Sequence, residues 1–370
     1  MGSAAVCHLA GRGQLVLGIE QFEAAHPNGS SHGTSRVIRL AYFEHPDYVP
    51  LLWRAYELWD RLGRDSGKSI IRMTGGLMIG RPDSDVVSGS LRSAVAHGLD
   101  HEMLDAGQVR RRFPLFTPGD DIVALHEPRA GIVNPEQAIH AHLERAAANG
   151  ASLCFNERVV DWSAAPDGSA VRVTTTRRIV EARSLVIAPG AWAPGLFKVA
   201  AIPLEVERQV LYWFSPVGGA AGFEADRFPI YIWDQGDGVQ FYGFPADDTG
   251  RVKVAFFRTG RGARCSADNV DRMVRAEEVA AMRAALADRV PTLSRGALAD
   301  TVTCLYTLTP DHHFVIGLHP QHAQVVIASP CSGHGYKFAS VVGEILADLA
   351  TERTTRHPIG LFAPGRFPGR

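Results

Sequence analysis

Residues 300–337 hold the side chains whose types and spacing are best suited to chemistry in this chain. Cys304 precedes an apolar run at residues 325–328, which is short and β-branched as in a buried strand. The residues Ser-Gly-His-Gly at 332–335 predict a turn, and the apolar spacing after them is that of a helix. Such a strand, turn and helix bring free backbone N–H groups to one point, where they can bind an anion. Lys337, in the first turn of the predicted helix, adds a positive charge, so the stretch suggests a redox cofactor.

The composition is that of a globular protein with balanced charges. With 370 residues and 46% hydrophobic content the chain can bury a large core, and its length suggests roughly two to three domains. A net charge of -1 and a pI near 7.0 argue against nucleic acid or an acidic membrane surface as the main partner. No apolar run approaches the roughly 20 residues of a membrane span, and no cleavable signal is visible. The cysteines lack CxxC spacing, which favours a reducing cytoplasm. They are Cys7, Cys154, Cys265, Cys304 and Cys331.

The first 20 residues have the pattern of the second half of a dinucleotide-binding βαβ unit. Small and apolar residues at 1–13 predict a helix packed closely on a sheet, and residues 14–20 predict a strand that ends in an acid, Glu20. In this interpretation Gly2 is the third glycine of a GxGxxG motif, and Glu20 binds an adenosine ribose. The first strand and the first two glycines of that motif are missing from the sequence. A plain helix–strand pair is an equally good interpretation of these residues alone.

Residues 26–42 combine turn-forming residues with two arginines, Arg36 and Arg39. If the segment is helical, this spacing places both on one face. Two solvated surface arginines are the ordinary interpretation. Fixed cations beside a Gly-Ser-rich backbone, directly after a nucleotide-type unit, favour a functional one, and both interpretations stay open.

The remaining pattern predicts nucleotide-type elements at both ends of the chain and a sheet-rich insert between them. Helices are predicted at residues 47–64, 134–150 and 267–290, the second with Asn134 as N-cap and Gln137 reaching back to form a capping box. Strands are predicted within residues 70–80, 154–162, 170–175, 184–188, 205–214, 229–233, 239–244 and 252–257. The strand at 184–188 runs into a turn with Gly190 and Trp192, an ending often found against a nucleotide.

Several blocks of the sequence, in the same order, resemble the monomeric sarcosine oxidase family, which includes N-methyltryptophan oxidase and the pipecolate oxidases. The blocks are NGSSHGxSRxIRxAY at 28–42, YGFP at 242–245 with Lys253 beyond it, TCLYT at 303–307 and SGHGYKF at 332–338. The similarity covers nearly the whole chain and implies a monomer with an α/β, two-domain fold. The expected domains are a discontinuous FAD-binding Rossmann-like domain of residues 1–80, 140–204 and 310–370, and an inserted mixed-sheet substrate domain of residues 81–139 and 205–309.

The resemblance implies a flavoenzyme that oxidises a secondary amino acid at its N-methyl or ring carbon. The product is an imine, and the electrons pass to oxygen to give hydrogen peroxide. In the family FAD is attached through its 8α-methyl carbon to a cysteine, which matches Cys304 here. Cys331, near the glycine turn, is the second candidate for the attachment.

The resemblance also assigns roles to individual residues. Lys253 matches the lysine that activates oxygen, because a fixed cation stabilises the anion formed when oxygen is reduced in a dry pocket. Arg39 and Lys337 match the pair that holds the substrate carboxylate, and Tyr242 and Tyr306 match pocket tyrosines. The expected cofactor contacts, besides Cys304, are Gly2, Glu20, Ser31, His32, Arg36, Gly190, Trp192, Gly333, His334, Gly335 and Lys337.

Two departures from the family pattern affect the expected substrate and cofactor. The pocket histidine expected four residues after the lysine is replaced by Phe257, which favours a bulkier or more hydrophobic N-methyl or cyclic amino acid over sarcosine. The missing first strand means either that the sequence begins too late or that the chain binds FAD poorly.

Two other functions are compatible with the same residues. One is a dehydrogenase that passes electrons to a carrier protein instead of oxygen, and the other is an inactive or purely binding homologue. A metal enzyme is not expected, because the histidines and aspartate within residues 311–322 lack the spacing of a metal-binding motif.

Overall fold

The computed structural model describes residues 1–199, 202–259 and 262–367. The strands are β1 Leu17–Ile19, β2 Arg36–Ile38, β3 Ile71–Met73, β4 Gly76–Gly80, β5 Glu102–Asp105, β6 Val123–Glu127, β7 Gly131–Val133, β8 Ser152–Cys154, β9 Val159–Ala164, β10 Val171–Thr175, β11 Ile179–Ala182, β12 Leu185–Ile187, β13 Glu205–Ser215, β14 Ile230–Asp234, β15 Gln240–Ala246, β16 Val252–Arg258, β17 Ala263–Arg264, β18 Ala297–Leu308, β19 Val315–His319 and β20 His322–Ser329. The α-helices are α1 Gly2–Gly11, α2 Val49–Ser66, α3 Asp85–Ala96, α4 Ala106–Arg112, α5 Pro135–Ala148, α6 Ala193–Leu196, α7 Ala276–Ala287, α8 Pro291–Ser294 and α9 Ala339–Glu352.

Parallel strands and their helices form the first layer of the structure. β1 pairs in parallel with β8, and β12 pairs in parallel with β20. Helix α1 packs against α5 and α9, and the contact with α9 is close because Gly343 has no side chain. A Cβ at Gly343 would lie only 2.4 Å from the Cβ of Ala4. Parallel strands covered by helices confirm the predicted α/β class.

A large mixed sheet forms the second layer. Within the described residues its strand order is β17-β13-β16-β15-β14-β4-β6-β5, and β18 pairs with β13. A separate aromatic-rich core packs against this sheet, built around Phe116, Phe228 and Trp233. A small sheet, β2-β7-β3, carries Arg36. The predicted domain boundaries remain a prediction, although β4, at residues 76–80, pairs within the large sheet.

The helices with clear sequence signals form nearly as predicted. Pro50 lies in the first turn of α2, where its missing N–H has no intrahelical partner to lose. Asn134 caps α5 by accepting a hydrogen bond from N of Gln137 at 3.0 Å. The structure shows this bond but not the return bond from the Gln137 side chain, so the predicted capping box is only half formed.

One local prediction was wrong, and the conditional arrangement of Arg36 and Arg39 on a helix is not found. The helix predicted at 267–290 begins only at Ala276, because the guanidinium of Arg208 takes the backbone oxygens of Asp271 and Met273 as acceptors. Those carbonyls serve a tertiary contact instead of a helix. Arg36 and Arg39 do not share a helical face, since β2 is extended. Arg36 lies beside Cys304, and Arg39 pairs with Glu44.

Candidate active site

A cavity of about 1640 Å³ lies between the parallel strands and the large sheet. The residues that follow β1, β12 and β20 line one side, and residues of β15, β16 and β18 line another. Pockets for a single small molecule have volumes of roughly 300–1,000 Å³. This cavity therefore has room for a dinucleotide-sized cofactor together with a small substrate.

Cys304 and Arg36 lie side by side in the cavity wall. β18 carries the buried Cys304 and β2 carries Arg36. Nη2 of Arg36 lies 3.9 Å from Sγ of Cys304 and donates to O of Ser30 at 2.9 Å. Nη1 donates to O of Ser35 at 2.8 Å. The guanidinium of Arg36 therefore brings a positive charge to the thiol, and the charge of Glu136 acts on the same guanidinium.

Lys253 lies directly behind this wall and not in it. The residue is only 2% exposed, and its Nζ donates to O of Gly33 at 2.6 Å and to O of Ser35 at 2.9 Å. A further bond reaches Oγ of Ser35 at 3.2 Å. Burial, followed by the charge of Arg36, lowers the pKa of Lys253 well below its ordinary value. Three oxygen acceptors match the three N–H donors of an ammonium, so these bonds favour the charged form that burial opposes.

Aromatic side chains form the wall next to Cys304. Burial raises the pKa of both Tyr242 and Tyr306, so both phenols are neutral hydrogen-bond donors. Phe257 meets Tyr306 edge to face, with 6.4 Å between ring centroids, and meets Phe43 in the same way at 6.1 Å. This part of the wall is therefore largely apolar.

A second group of cations consists of Arg39, which pairs with the carboxylate of Glu44, and Lys337, which feels the charge of the same carboxylate. Nη2 of Arg39 donates to Oε2 of Glu44 at 2.6 Å, and Nζ of Lys337 donates to O of His334 at 2.6 Å. Burial raises the pKa of Glu44, but the charge and hydrogen bond of Arg39, together with the nearby charges of His334 and Lys337, outweigh it and lower that pKa to about 2. Burial and then the charge of Arg39 lower the pKa of Lys337 to about 7.

This group has one positive charge in excess when Lys337 is protonated, and two of its polar atoms have no partner. Nε of Arg39 and Oε1 of Glu44 are buried without a hydrogen-bond partner. Buried polar atoms are nearly always hydrogen-bonded, so such atoms in a cavity wall indicate a place for a polar ligand. An anionic group would complete the charge balance.

The turn after β20 requires glycine at two positions. A Cβ at Gly335 would lie 1.6 Å from O of Pro330, and one at Gly333 would lie 2.8 Å from the ring of Tyr306. The ring of His334 contacts the hydroxyl of Tyr42 through Nδ1 and O of His312 through Nε2. Burial lowers the pKa of His334 to about 3, so the ring is neutral. Both ring nitrogens therefore have partners within the protein. The backbone of the turn, and not this ring, is left to contact a ligand.

The residues predicted to bind the nucleotide lie in the same cavity wall, with one exception. Gly2, Glu20, Ser31, Gly190 and Trp192 line the cavity. His32 does not line the cavity. Its side chain is buried, and its Nε2 bonds to O of Gly29 at 3.1 Å. Burial lowers the pKa of His32 to about 3.

Sequence reasoning missed four acidic residues that organise this site. Asp268 ties the loop before α7 to the wall, accepting from Nε1 of Trp192 at 2.8 Å and from Arg158 at 3.0 Å. Glu44, Glu127 and Glu136 bind groups of the segment that carries the two arginines. Only Glu136 had a local signal, as an acid in a first helical turn. Glu44, Glu127 and Asp268 had no such signal. Their contacts depend on residues distant in sequence or on how a loop folds, which a local pattern does not show.

The described residues contain neither a metal-binding cluster nor a membrane-spanning helix. In that part of the chain no group of three or more His, Cys, Asp or Glu side chains is arranged to hold a metal ion. None of its helices is long and apolar enough to cross a membrane.

Comparison with known proteins identifies the family. The sequence profile of the FAD dependent oxidoreductases matches residues 1–349. The chain belongs to this family. It is 50% identical over 370 residues to the monomeric sarcosine oxidase of Streptomyces avermitilis, which covers 99% of this chain and 95% of the relative. It is 30% identical over 367 residues to the N-methyl-L-tryptophan oxidase of Yersinia pestis, covering 99% and 96%.

A solved structure supports the fold of this FAD dependent oxidoreductase. The open form of NikD, an amino acid oxidase of nikkomycin biosynthesis, superposes with a TM-score of 0.84 at 24% identity and covers 98% of this chain and 94% of its own. The predicted resemblance to the sarcosine oxidases and the predicted FAD-binding fold are therefore confirmed.

Proposed function

We propose that this enzyme uses FAD to oxidise the CH–NH bond of an N-methyl or cyclic secondary amino acid, giving an imine, and reduces oxygen to hydrogen peroxide. The observation that carries the proposal is the presence of two separate groups of buried cations at one cavity. Arg36 lies beside the thiol of Cys304 with Lys253 behind it, and Arg39 and Lys337 lie in the wall where Nε of Arg39 and Oε1 of Glu44 have no partner. The named relatives, a sarcosine oxidase and an N-methyltryptophan oxidase, act on N-methyl amino acids by name.

The residues present fit FAD. The cavity is larger than a substrate needs, its wall includes Gly2 at the N-terminus of α1, and a helix N-terminus suits a phosphate. Glu20 and the Gly190–Trp192 turn would contact the nucleotide, and Ser31, Arg36 and the Gly333–Gly335 turn would contact the flavin. Cys304 would carry the covalent thioether bond. Bound there, the flavin supplies a hydride acceptor for the amine and a donor of electrons to oxygen.

The second group of cations would bind the substrate carboxylate. Arg39 offers a planar guanidinium whose Nε lacks a partner, and Lys337 offers a point charge. A bound carboxylate would accept from Nε of Arg39 and from Lys337, while Nη2 of Arg39 keeps its bond to Glu44. The amine would lie beside Tyr242, Tyr306 and Phe257, and this aromatic wall would keep water from it. We assign no general base, and the imine product is hydrolysed after release.

The experiment that tests this function is stopped-flow absorbance with sarcosine, N-methyltryptophan and pipecolate. Anaerobic substrate should bleach the oxidised flavin spectrum, and oxygen should restore it with one peroxide formed per substrate oxidised. Rapid reduction followed by slow reoxidation in air would instead identify a dehydrogenase. No reduction by any of the three amines would overturn the proposal. Gel filtration of the same preparation tests the expected monomer.

We expect Phe257→His to shift substrate preference toward sarcosine. The Phe257 ring packs against Phe43 and Tyr306, so it suits an apolar side chain or ring on the substrate. Pocket changes of this kind alter selectivity by about 10–200-fold, and we expect a change near the lower end in the kcat/KM ratio of N-methyltryptophan to sarcosine. Phe256, one residue earlier on β16 and packed in the aromatic core, provides the control as Phe256→Leu. A wild-type enzyme that strongly prefers sarcosine would contradict this role of Phe257.

We expect the affinity for a simple carboxylate to fall as pH rises above about 7, because burial lowers the pKa of Lys337 to about 7. The charged form binds the ligand and is lost as pH rises through that pKa, while Arg39 stays charged. Methoxyacetate has no amine to titrate, so its dissociation constant reports the protein alone. The constant should be flat below pH 7 and rise by up to about tenfold per unit above it. Lys337→Gln should bind weakly without this dependence, and an unchanged profile in that variant would exclude Lys337 as the titrating group.

A further inference from the structure

The segment of residues 33–41 connects the two groups of cations, and a carboxylate from elsewhere in the chain holds each of its ends. Its middle is β2, which pairs antiparallel with β7 in the register Arg36 to Val133 and Ile38 to Gly131. Because the pairing is antiparallel, the start of the segment lies near the residues after β7, and its end lies near the residues before β7. Those flanking residues include Glu136 and Glu127.

Glu136 holds the end of the segment next to Lys253. Its Oε1 accepts from N of Gly33 at 2.6 Å, and both carboxylate oxygens lie 3.2 Å from N of Thr34. The carbonyl of the same Gly33 accepts from Nζ of Lys253 at 2.6 Å. Gly33 has φ +91, and a Cβ there would lie 3.0 Å from the side chain of Leu211 and 3.3 Å from Nζ of Lys253. Glu136 therefore sets the position of the carbonyl that directs the ammonium of Lys253.

Glu127 holds the opposite end, next to Arg39. It is 1% exposed, and its two carboxylate oxygens accept from N of Leu40 at 2.7 Å and from N of Ala41 at 2.8 Å. The carbonyl of Ala41 accepts from Nη1 of Arg39 at 2.7 Å. The arrangement repeats that of Glu136: a carboxylate fixes a backbone amide, and the carbonyl of that residue directs a buried cation.

We propose that Glu136 and Glu127 are positioning residues with separate tasks, Glu136 for the reaction with oxygen through Lys253 and Glu127 for binding of the substrate carboxylate through Arg39. The inference rests on the proposed function, which gives those two cations their roles. Neither glutamate lines the cavity, so each acts through the segment and not by contact with the substrate. Each carboxylate accepts hydrogen bonds from two backbone N–H groups. A glutamine side chain in its place would turn its own N–H toward one of those donors.

The test measures reoxidation by oxygen and binding of methoxyacetate separately in the flavin-loaded enzyme. For Glu136→Gln we expect reoxidation by oxygen to slow about tenfold while the methoxyacetate dissociation constant stays within about twofold, as for loss of one charge-assisted bond. For Glu127→Gln we expect the reverse pattern. Glu144→Gln on α5 and Glu102→Gln on β5 are matched controls, because these carboxylates are exposed and pair with Lys68 and Arg112. Both controls should leave both measurements unchanged.

The outcomes separate this inference from the proposed function. If Lys253→Met slows reoxidation and Glu136→Gln does not, the positioning role is wrong. If Lys253→Met leaves reoxidation unchanged, the function proposed for Lys253 is wrong instead. Equal losses in reoxidation and in methoxyacetate binding for either glutamine variant would show a purely structural role. If a glutamine variant fails to fold, Glu136→Asp and Glu127→Asp, which keep the charge and withdraw it by one methylene, should give the same split, and the absence of the split in these variants would overturn the inference.

Discussion

Replacement of Lys253 by methionine will slow the reaction of the reduced enzyme with oxygen by about 10²–10³-fold. The first electron transferred to oxygen creates an anion in a site that excludes water. A buried cation stabilises that charge far more than an exposed one, because the local dielectric is low. Methionine nearly preserves the volume of the lysine side chain but brings no charge, and it removes one of the donors to the carbonyls of Gly33 and Ser35. The measurement is reoxidation of substrate-reduced enzyme, mixed with known oxygen concentrations in a stopped-flow instrument.

A matched variant shows whether the effect belongs to this lysine. Lys337→Met removes another buried lysine, one that lines the cavity, and we expect it to weaken carboxylate binding with little change in reoxidation. Reduction by substrate should in turn be changed little by Lys253→Met. A Lys253→Met enzyme that reoxidises at the wild-type rate would remove the main reason for proposing oxygen as the electron acceptor.

Replacement of Cys304 by alanine will abolish covalent attachment of the flavin. Cys304 is 2% exposed, lies in the cavity wall and has the guanidinium of Arg36 at 3.9 Å from its Sγ. The wild-type protein should stay yellow after acid precipitation and should carry the added mass of FAD in denaturing mass spectrometry. Cys304→Ala should release all of its flavin to the supernatant and show the mass of the polypeptide alone.

Cys331 provides the control for the attachment site, since it is the second cysteine considered there and also lies in the cavity wall. Burial raises the pKa of Cys331, which makes it a poor nucleophile. We therefore expect Cys331→Ala to keep its flavin through acid precipitation. Loss of the covalent flavin in Cys331→Ala, with retention in Cys304→Ala, would reassign the attachment.

Local patterns in the sequence determined most of the elements and the choice of candidate residues. Apolar periodicity predicted α2 and α9, and Asn134-Pro135 predicted the start of α5, because caps and periodicity act within a few residues. The motif blocks around Arg39, Cys304 and Lys337 selected residues that share one cavity wall. Their roles in binding and catalysis remain predictions.

Only the tertiary structure decided which groups surround each candidate. Glu127 and Leu40 are 87 residues apart, and Lys253 and Gly33 are 220 apart, so no local pattern could show that they are hydrogen-bonded. The helix predicted from residue 267 failed for the same reason, since Arg208 captures the carbonyls that the helix needed. Burial also decided the protonation of Lys337 and His334, because desolvation depends on the whole surrounding fold and not on neighbours in sequence.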